Sequence, residues 1–67
     1  REEGREEAVG ALRASIVTLV RRRAPALAEA AEHRVQAVAD LDRLTALIVE
    51  IGAAADVAAI ERLIAEL

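Results

Sequence analysis

An all-α fold, a small bundle of one long N-terminal helix and three shorter helices, is what these 67 residues predict. Three observations carry that prediction. Large aliphatics recur every three or four residues, the spacing that lines one side of a helix and not the alternation of a strand. Alanine contributes seventeen residues, which favours helix and lets helices approach closely, and there is no aromatic residue. The single proline, Pro25, and the aspartates Asp40 and Asp56 interrupt the apolar periods where helix boundaries belong.

The first element opens on "REEGREEAVG", a unit of one base, two acids and a glycine that begins again with alanine in the glycine's place. Like charges four apart set Glu2 over Glu6 and Glu3 over Glu7, while Glu2 and Arg5 attract, so the tract alone is a weak helix former. Residues 1–7 read as a polar helical connector, the last turns of a longer tract, and residues 8–67 as a helical association domain. Val9, Leu12, Ile16 and Leu19 step by three, four and three along one side, and Val17 and Val20 widen the stripe. Together they predict a helix from Glu2 to Arg23. Arg21, Arg22 and Arg23 occupy its last turn, where positive charge complements the helix dipole. Pro25 stops it, because proline disfavours helical geometry at Ala24 and can itself open a new helix.

The second helix is expected from Pro25 to Val38, with Leu27, Ala31, Val35 and Val38 on one side as a weakly apolar cover. Asp40 is a candidate N-cap and Asp42 adds charge at the correct end, so a third helix starts near Leu41. Leu44, Leu47, Ile48, Val49 and Ile51 make it the most hydrophobic stretch and the expected centre of the bundle. Gly52 stands where a left-handed residue would end that helix, although a continuous helix from Leu41 to Leu67 bent at Gly52 fits the pattern as well. Asp56 can cap a fourth helix from Val57 to about Glu66, with Ile60, Leu63, Ile64 and Leu67 turned inward. Short connections keep consecutive helices close.

Size and composition limit what such a chain can do. A domain this small buries only about 60% of the surface its unfolded chain exposes, so a second chain is the natural supplement. There is no cysteine, hence no disulfide framework and no thiolate metal site. A net charge of -3 with interleaved signs gives no global basic field, and no apolar run approaches the length of a membrane span. These features predict a soluble, cytoplasmic chain without membrane contact. Without aromatics, base-stacking platforms and most ligand pockets are ruled out, so neither a cofactor nor a small-molecule substrate is expected.

The stretches "RRRAPALAEAAEHRVQAV", "DLDRLTALI" and "AADVAAI", in that order behind "REEGREE", resemble the C-terminal helical segment of the bacterial recombination-promoting nuclease (Rpn) and transposase-like family, a segment of unassigned function. In the resemblance Arg23 matches the arginine of an Arg-Phe-Gly element and Leu27 the leucine after it. Leu41, Leu44, Leu47 and Ile48 match a central helix, and Asp56-Val57 a capped start near the chain end. Ala24, Pro25 and Leu47 depart from it, standing where the family carries phenylalanine, glycine and tryptophan. What the resemblance implies is an accessory module for oligomerisation or positioning, any phosphodiester cleavage belonging to a preceding domain. The alanine excess and missing aromatics fit equally a designed or engineered bundle without natural activity.

Candidate sites are few. His33 is the single histidine and lacks the convergent partners that catalysis or metal binding needs. Ser15 and Thr18 lie mid-helix, where hydroxyls bond back to the preceding turn. With no carboxylate pair, glycine loop or zinc spacing, no catalytic, cofactor or metal residue is assigned and the chain is read as a non-enzyme. Arg21, Arg22 and Arg23, with Arg13 and Arg34, form a candidate phosphate-binding patch for a nucleic-acid accessory role, against the plainer reading of a dipole-matched helix end. Val9, Leu12, Ile16, Leu19 and Val20 form the candidate subunit contact of a homo-oligomer, a two-fold dimer in the simplest case. Leu41, Leu44, Ile48, Ile51, Ile60 and Ile64 are the expected shared core.

Overall fold

The computed structural model describes the backbone of residues 2–67 and the side chains of residues 4–67. It consists of α1 (Glu2–Arg23), a 3₁₀ turn (Pro25–Leu27), α2 (Ala28–Val35), α3 (Leu41–Ala53) and α4 (Val57–Ala65), with no strand among the described residues. The 22 residues of α1 span about 33 Å at 1.5 Å per residue and set the long axis of a molecule measuring 37 × 19 × 19 Å. The side-chain pairings expected of Glu2 and Glu3 lie outside the described side chains. Gly4 to Glu7 are exposed, and the first buried side chain is Val9.

Helices alternate in direction along the chain, yet they do not all pack in chain order. Arg13, midway along α1, reaches the end of α2, while the later Arg21 pairs with Glu32 inside it, so α2 runs antiparallel to α1. Arg5 shares a cleft with Asp40 and Asp42 at the start of α3, and Arg23 reaches the end of α3, so those two helices run parallel. Arg43 touches the end of α4, which therefore returns antiparallel to α3. The main contacts pair α1 with α3, α1 with α2, α3 with α4 and α2 with α4. This is a square in which α2 and α3, although consecutive, are not principal neighbours. The expectation that short turns keep successive helices together does not hold here, because Gln36–Asp40 carries the chain diagonally across one end.

The core consists of aliphatics from every helix: Val9, Ile16, Val17 and Val20 of α1, Ala31 and Val35 of α2, Leu44, Leu47 and Ile51 of α3, and Ile60 and Ile64 of α4. Alanines at Ala24, Ala28 and Ala31 are buried too, so α2 lies close against its neighbours without large side chains. Two expected core positions, Leu41 and Ile48, are only half-buried.

Helix starts agree with local chemistry. The Asp40 carboxylate accepts from the backbone N–H of Asp42 at 2.9 Å and of Arg43 at 3.4 Å, and Asp56 accepts from Ala59 N–H at 2.9 Å. Pro25 fixes its own φ and forces Ala24 to φ -147°, so the expected helix from Pro25 begins as a tight 3₁₀ turn. That helix also closes early. Beyond Val35 the chain tightens into i→i+3 bonds, Ala37 N–H to Arg34 and Val38 N–H to Val35, leaving Val38 buried but outside the helix.

Gly52 does not terminate α3. No residue among those described has a positive φ, and the helix continues through Gly52 to Ala53 before Ala54 turns extended at φ -61°, ψ 135°. The break between α3 and α4 therefore lies at Ala54–Asp56, which also excludes a continuous helix to Leu67. A Cβ built on Gly52 meets nothing within 4 Å. Gly52→Ala should therefore raise unfolding free energy by about 0.5–1 kcal/mol in urea titrations, whereas a left-handed terminator would lose stability on the same change. Asp40→Ala and Asp56→Ala should each lower it by about 1 kcal/mol.

Candidate functional site

The last carbonyls of a helix have no partner within it, and chains commonly satisfy them with a left-handed glycine just past the end. Among the described residues there is no such residue, and arginines from other helices take that place. Arg13 of α1 donates from Nε and Nη2 to the Val38 carbonyl at 3.0 and 2.8 Å, and from Nη2 to Gln36 at 3.1 Å, closing the segment after α2. Arg23 donates from Nη1 to the Ile51 carbonyl at 2.5 Å and from Nη2 to Ala54 at 2.8 Å, closing α3. Two more arginines close α4, Arg34 of α2 donating to Ala65 at 3.3 Å and Arg43 of α3 to Glu66 at 3.1 Å. A planar guanidinium with several divergent N–H groups can hold two carbonyls at once, which a lysine ammonium does less well.

These clamps change the meaning of the arginine cluster. Successive helical residues point about 100° apart, so Arg21, Arg22 and Arg23 diverge although adjacent in sequence. Arg23 is engaged at α3, and Arg21 lies 3.8 Å from Glu32 in an exposed ion pair. Arg13 and Arg34, the other members of the candidate patch, are engaged at the ends of α2 and α4. Arg22 has neither kind of partner among the described residues. The five arginines thus do not form one patch: Arg13 and Arg21 line the α1–α2 groove, Arg23 turns to α3 and Arg34 to α4.

The candidate contact residues of α1 separate as well. Val9, Ile16 and Val20 are buried inside the chain's own core, at 6%, 0% and 0% exposure, so that surface is already covered. Leu12 and Leu19 are half-buried at the edge of the core. Sequence spacing puts Val9, Leu12, Ile16 and Leu19 on one stripe, widened by Val17 and Val20, without ranking them. The middle of the stripe runs through Ile16, because α2 occupies the flank that carries Val17.

Leu12 and Leu19 belong to a second stripe on α1, Ala8, Leu12, Ser15, Leu19 and Arg22, spaced by four, three, four and three residues. On α3 a matching stripe runs through Asp42, Thr45, Val49 and Gly52, with half-buried Leu41 and Ile48 beside it. The flanks toward α2 and α4 are taken by other residues: Arg13, Val17 and Arg21 line the α1–α2 groove, and Arg43, Leu47 and Glu50 line the α3–α4 groove. The two stripes therefore share the outward side of the α1–α3 pair. Val49, 65% exposed, lies on that side and is a large aliphatic that the fold leaves in water. The expectation of a central third helix did not separate this position from Leu44 and Ile51. The signal available in the sequence was its place opposite Leu44 and Leu47 on the helical wheel.

Elsewhere the exposed surface is mostly polar or alanine, with Val57 at the start of α4 the other exposed large aliphatic among the described residues. No polar or charged side chain is buried, and no group of three or more metal-ligating side chains forms, among the described residues. His33 is exposed in the last turn of α2, and Ser15 and Thr18 are exposed on α1. No helix of the described residues is long and apolar enough to cross a membrane. The chain matches no family model, no curated protein and no solved structure. None of these comparisons supports the resemblance to the recombination-promoting nuclease and transposase-like family.

Because Arg23 holds carbonyls of α3 from α1, Arg23→Ala should lower unfolding free energy by about 1–2 kcal/mol. Arg23→Lys should recover only part of that loss. Arg22→Ala, at a solvated position, should stay within about 0.5 kcal/mol of the parent in the same denaturant titration.

Proposed function

We propose that this chain is a non-enzymatic helical association module that pairs with a second copy of itself through the outward side of α1 and α3. The observation that carries this reading is the composition of that side. Leu12, Leu19, Leu41 and Ile48 are incompletely covered and Val49 is exposed, while only small or uncharged residues, Ala8, Ser15, Thr45 and Gly52, lie among them. Contiguous apolar surface of this kind is where a small domain gains further burial. The contact is narrower than the stripe first expected, because Val9, Ile16 and Val20 contribute to the monomer's core and not to a partner. A role as positioning segment of a larger nuclease-like protein accords with such a module and rests on the resemblance alone.

Two helices side by side, about 10 Å apart and about 25 Å long, offer roughly 500 Å² per copy. Roughly 1,000 Å² in total is at the low end for a specific interface, so the pairing is expected to be weak and concentration-dependent. Light scattering over a dilution series should show mass rising from monomer toward dimer through the micromolar range. Val49→Glu should abolish that rise and leave helicity and thermal unfolding of the monomer unchanged, since residue 49 is already in solvent. A parent chain that stays monomeric at high micromolar concentration overturns the reading. Leu12→Glu is a poorer test, because Leu12 also packs on the monomer's core.

A further inference from the structure

The two described stripes on the outward side of α1 and α3 carry one charge each, at opposite corners, and exposed Arg5 of α1 lies beside the α3 corner. The α1 stripe ends on Arg22 and the α3 stripe begins on Asp42, both exposed. Between them every stripe position is apolar, small or an uncharged hydroxyl residue. Asp42 lies level with Arg5, since both line one cleft at the start of α3. Seventeen residues of α1 separate that level from Arg22, roughly 25 Å at the helical rise. Among the described residues no ion pair to Arg22 or Asp42 falls within 4.0 Å, Arg5 in the cleft beside Asp42 included, and the Asp42 backbone, not its carboxylate, serves the Asp40 cap.

A two-fold interface is self-complementary, so that residue i meets residue j and j meets i. A surface with one positive and one negative corner satisfies that condition in one family of arrangements only. Resting on the association reading above, we infer that two copies pack with α1 and α3 antiparallel to those of the partner, each Arg22 paired with Asp42 of the other copy. The axis then crosses the face nearly perpendicular to the helices, tilted so that one corner falls on the other. With α1 and α3 about 10 Å apart and the corners roughly 25 Å apart in height, that tilt makes partner helices cross at roughly 45°. This is close to the roughly 50° at which helix ridges commonly interdigitate. A parallel arrangement, with the axis along the helices, leaves both charges facing uncharged positions. The pairs contribute register more than affinity, since exposed ion pairs are individually weak.

The decisive experiment uses two charge reversals. A homodimer of Arg22→Glu places glutamate against Asp42 twice, and a homodimer of Asp42→Arg places arginine against Arg22 twice. Each variant alone should dimerise about tenfold more weakly than the parent. Mixed together they restore both opposite-charge pairs, so the heterodimer should form at near-parental affinity, read by fluorescence transfer between differently labelled chains. The preference should shrink as salt is raised. Should Asp42→Arg lose helicity, the double variant Arg22→Glu with Asp42→Asn replaces it: removing the repulsion should return most of the dimer lost in Arg22→Glu. Parental affinity of both single variants, or no preference in the mixture, overturns the pairing while leaving association standing. A parental chain that never dimerises overturns the association reading itself.

Discussion

Guanidinium groups holding the carbonyls at helix ends are the interaction on which the rest of this structure depends. One long and three short helices in so small a chain expose many unpartnered carbonyls, and the chain has only three glycines, none of them with a positive φ. The usual local solution is therefore missing. Apart from His33 every basic residue is arginine, with no lysine in the chain, and four of the nine arginines reach across to another element's C-terminal end. These bonds join residues 23 to 31 positions apart, so ending a helix and fixing its place in the bundle become one event. The pattern also follows the packing. α1 clamps α2 and α3, and these in turn clamp α4, reproducing the four sides of the square.

This arrangement explains how so alanine-rich a bundle can hold together. Ala24, Ala28 and Ala31 bury little area each, and the dispersion and transfer terms scale with area. Close backbone approach brings the helix ends within reach of arginines on neighbouring helices, and the clamps add directional contacts that a small-residue interface lacks. A long side chain that lies across a neighbour also covers apolar surface with its methylenes. The same demand disperses positive charge. Three consecutive arginines that resemble a phosphate patch on paper serve three directions in space, one toward α3, one toward Glu32 of α2 and one outward.

What was legible in the sequence follows from the range of the interactions involved. Helix starts were readable because the cap and its recipient N–H lie within three residues, as at Asp40 with Asp42 and Asp56 with Ala59. The end of α1 at Arg23 was readable too, because Pro25 is local, but the ends of α2 and α3 were not, because the partner of Ile51 and Ala54 is Arg23 and that of Val38 is Arg13, neither of which any local window contains. Gly52 was misread for that reason: a glycine near an end suggested a local terminator, while the actual terminator came from α1. The division of the α1 stripe was hidden likewise. Spacing alone gives a face about 100° wide, and only the positions of α2 and α3 decide that Val17 goes under and that Leu12 and Leu19 stay at the edge. The fold class was accessible because periodicity is local, and the open face was not because it is whatever the neighbours leave.

The outward sides of the square differ in chemistry, and the difference bears on the association reading. The side joining α1 and α2 carries Arg13, Arg21, Glu32 and Gln36 around its groove, and the side joining α3 and α4 carries Arg43, Glu50, Arg62 and Glu66. Every exposed side chain of α2 is charged, polar or alanine, which keeps the side it shares with α4 wet. The side joining α1 and α3 alone has a band without charge, running from Ala8 to Leu19 and from Thr45 to Gly52. Charges elsewhere are spaced so that no comparable band survives, which leaves a partner one place to bury apolar area without desolvating an ion. A domain of this size gains little from its own core, and the middle of this one side is where the proposed pairing would add burial without desolvating a charge.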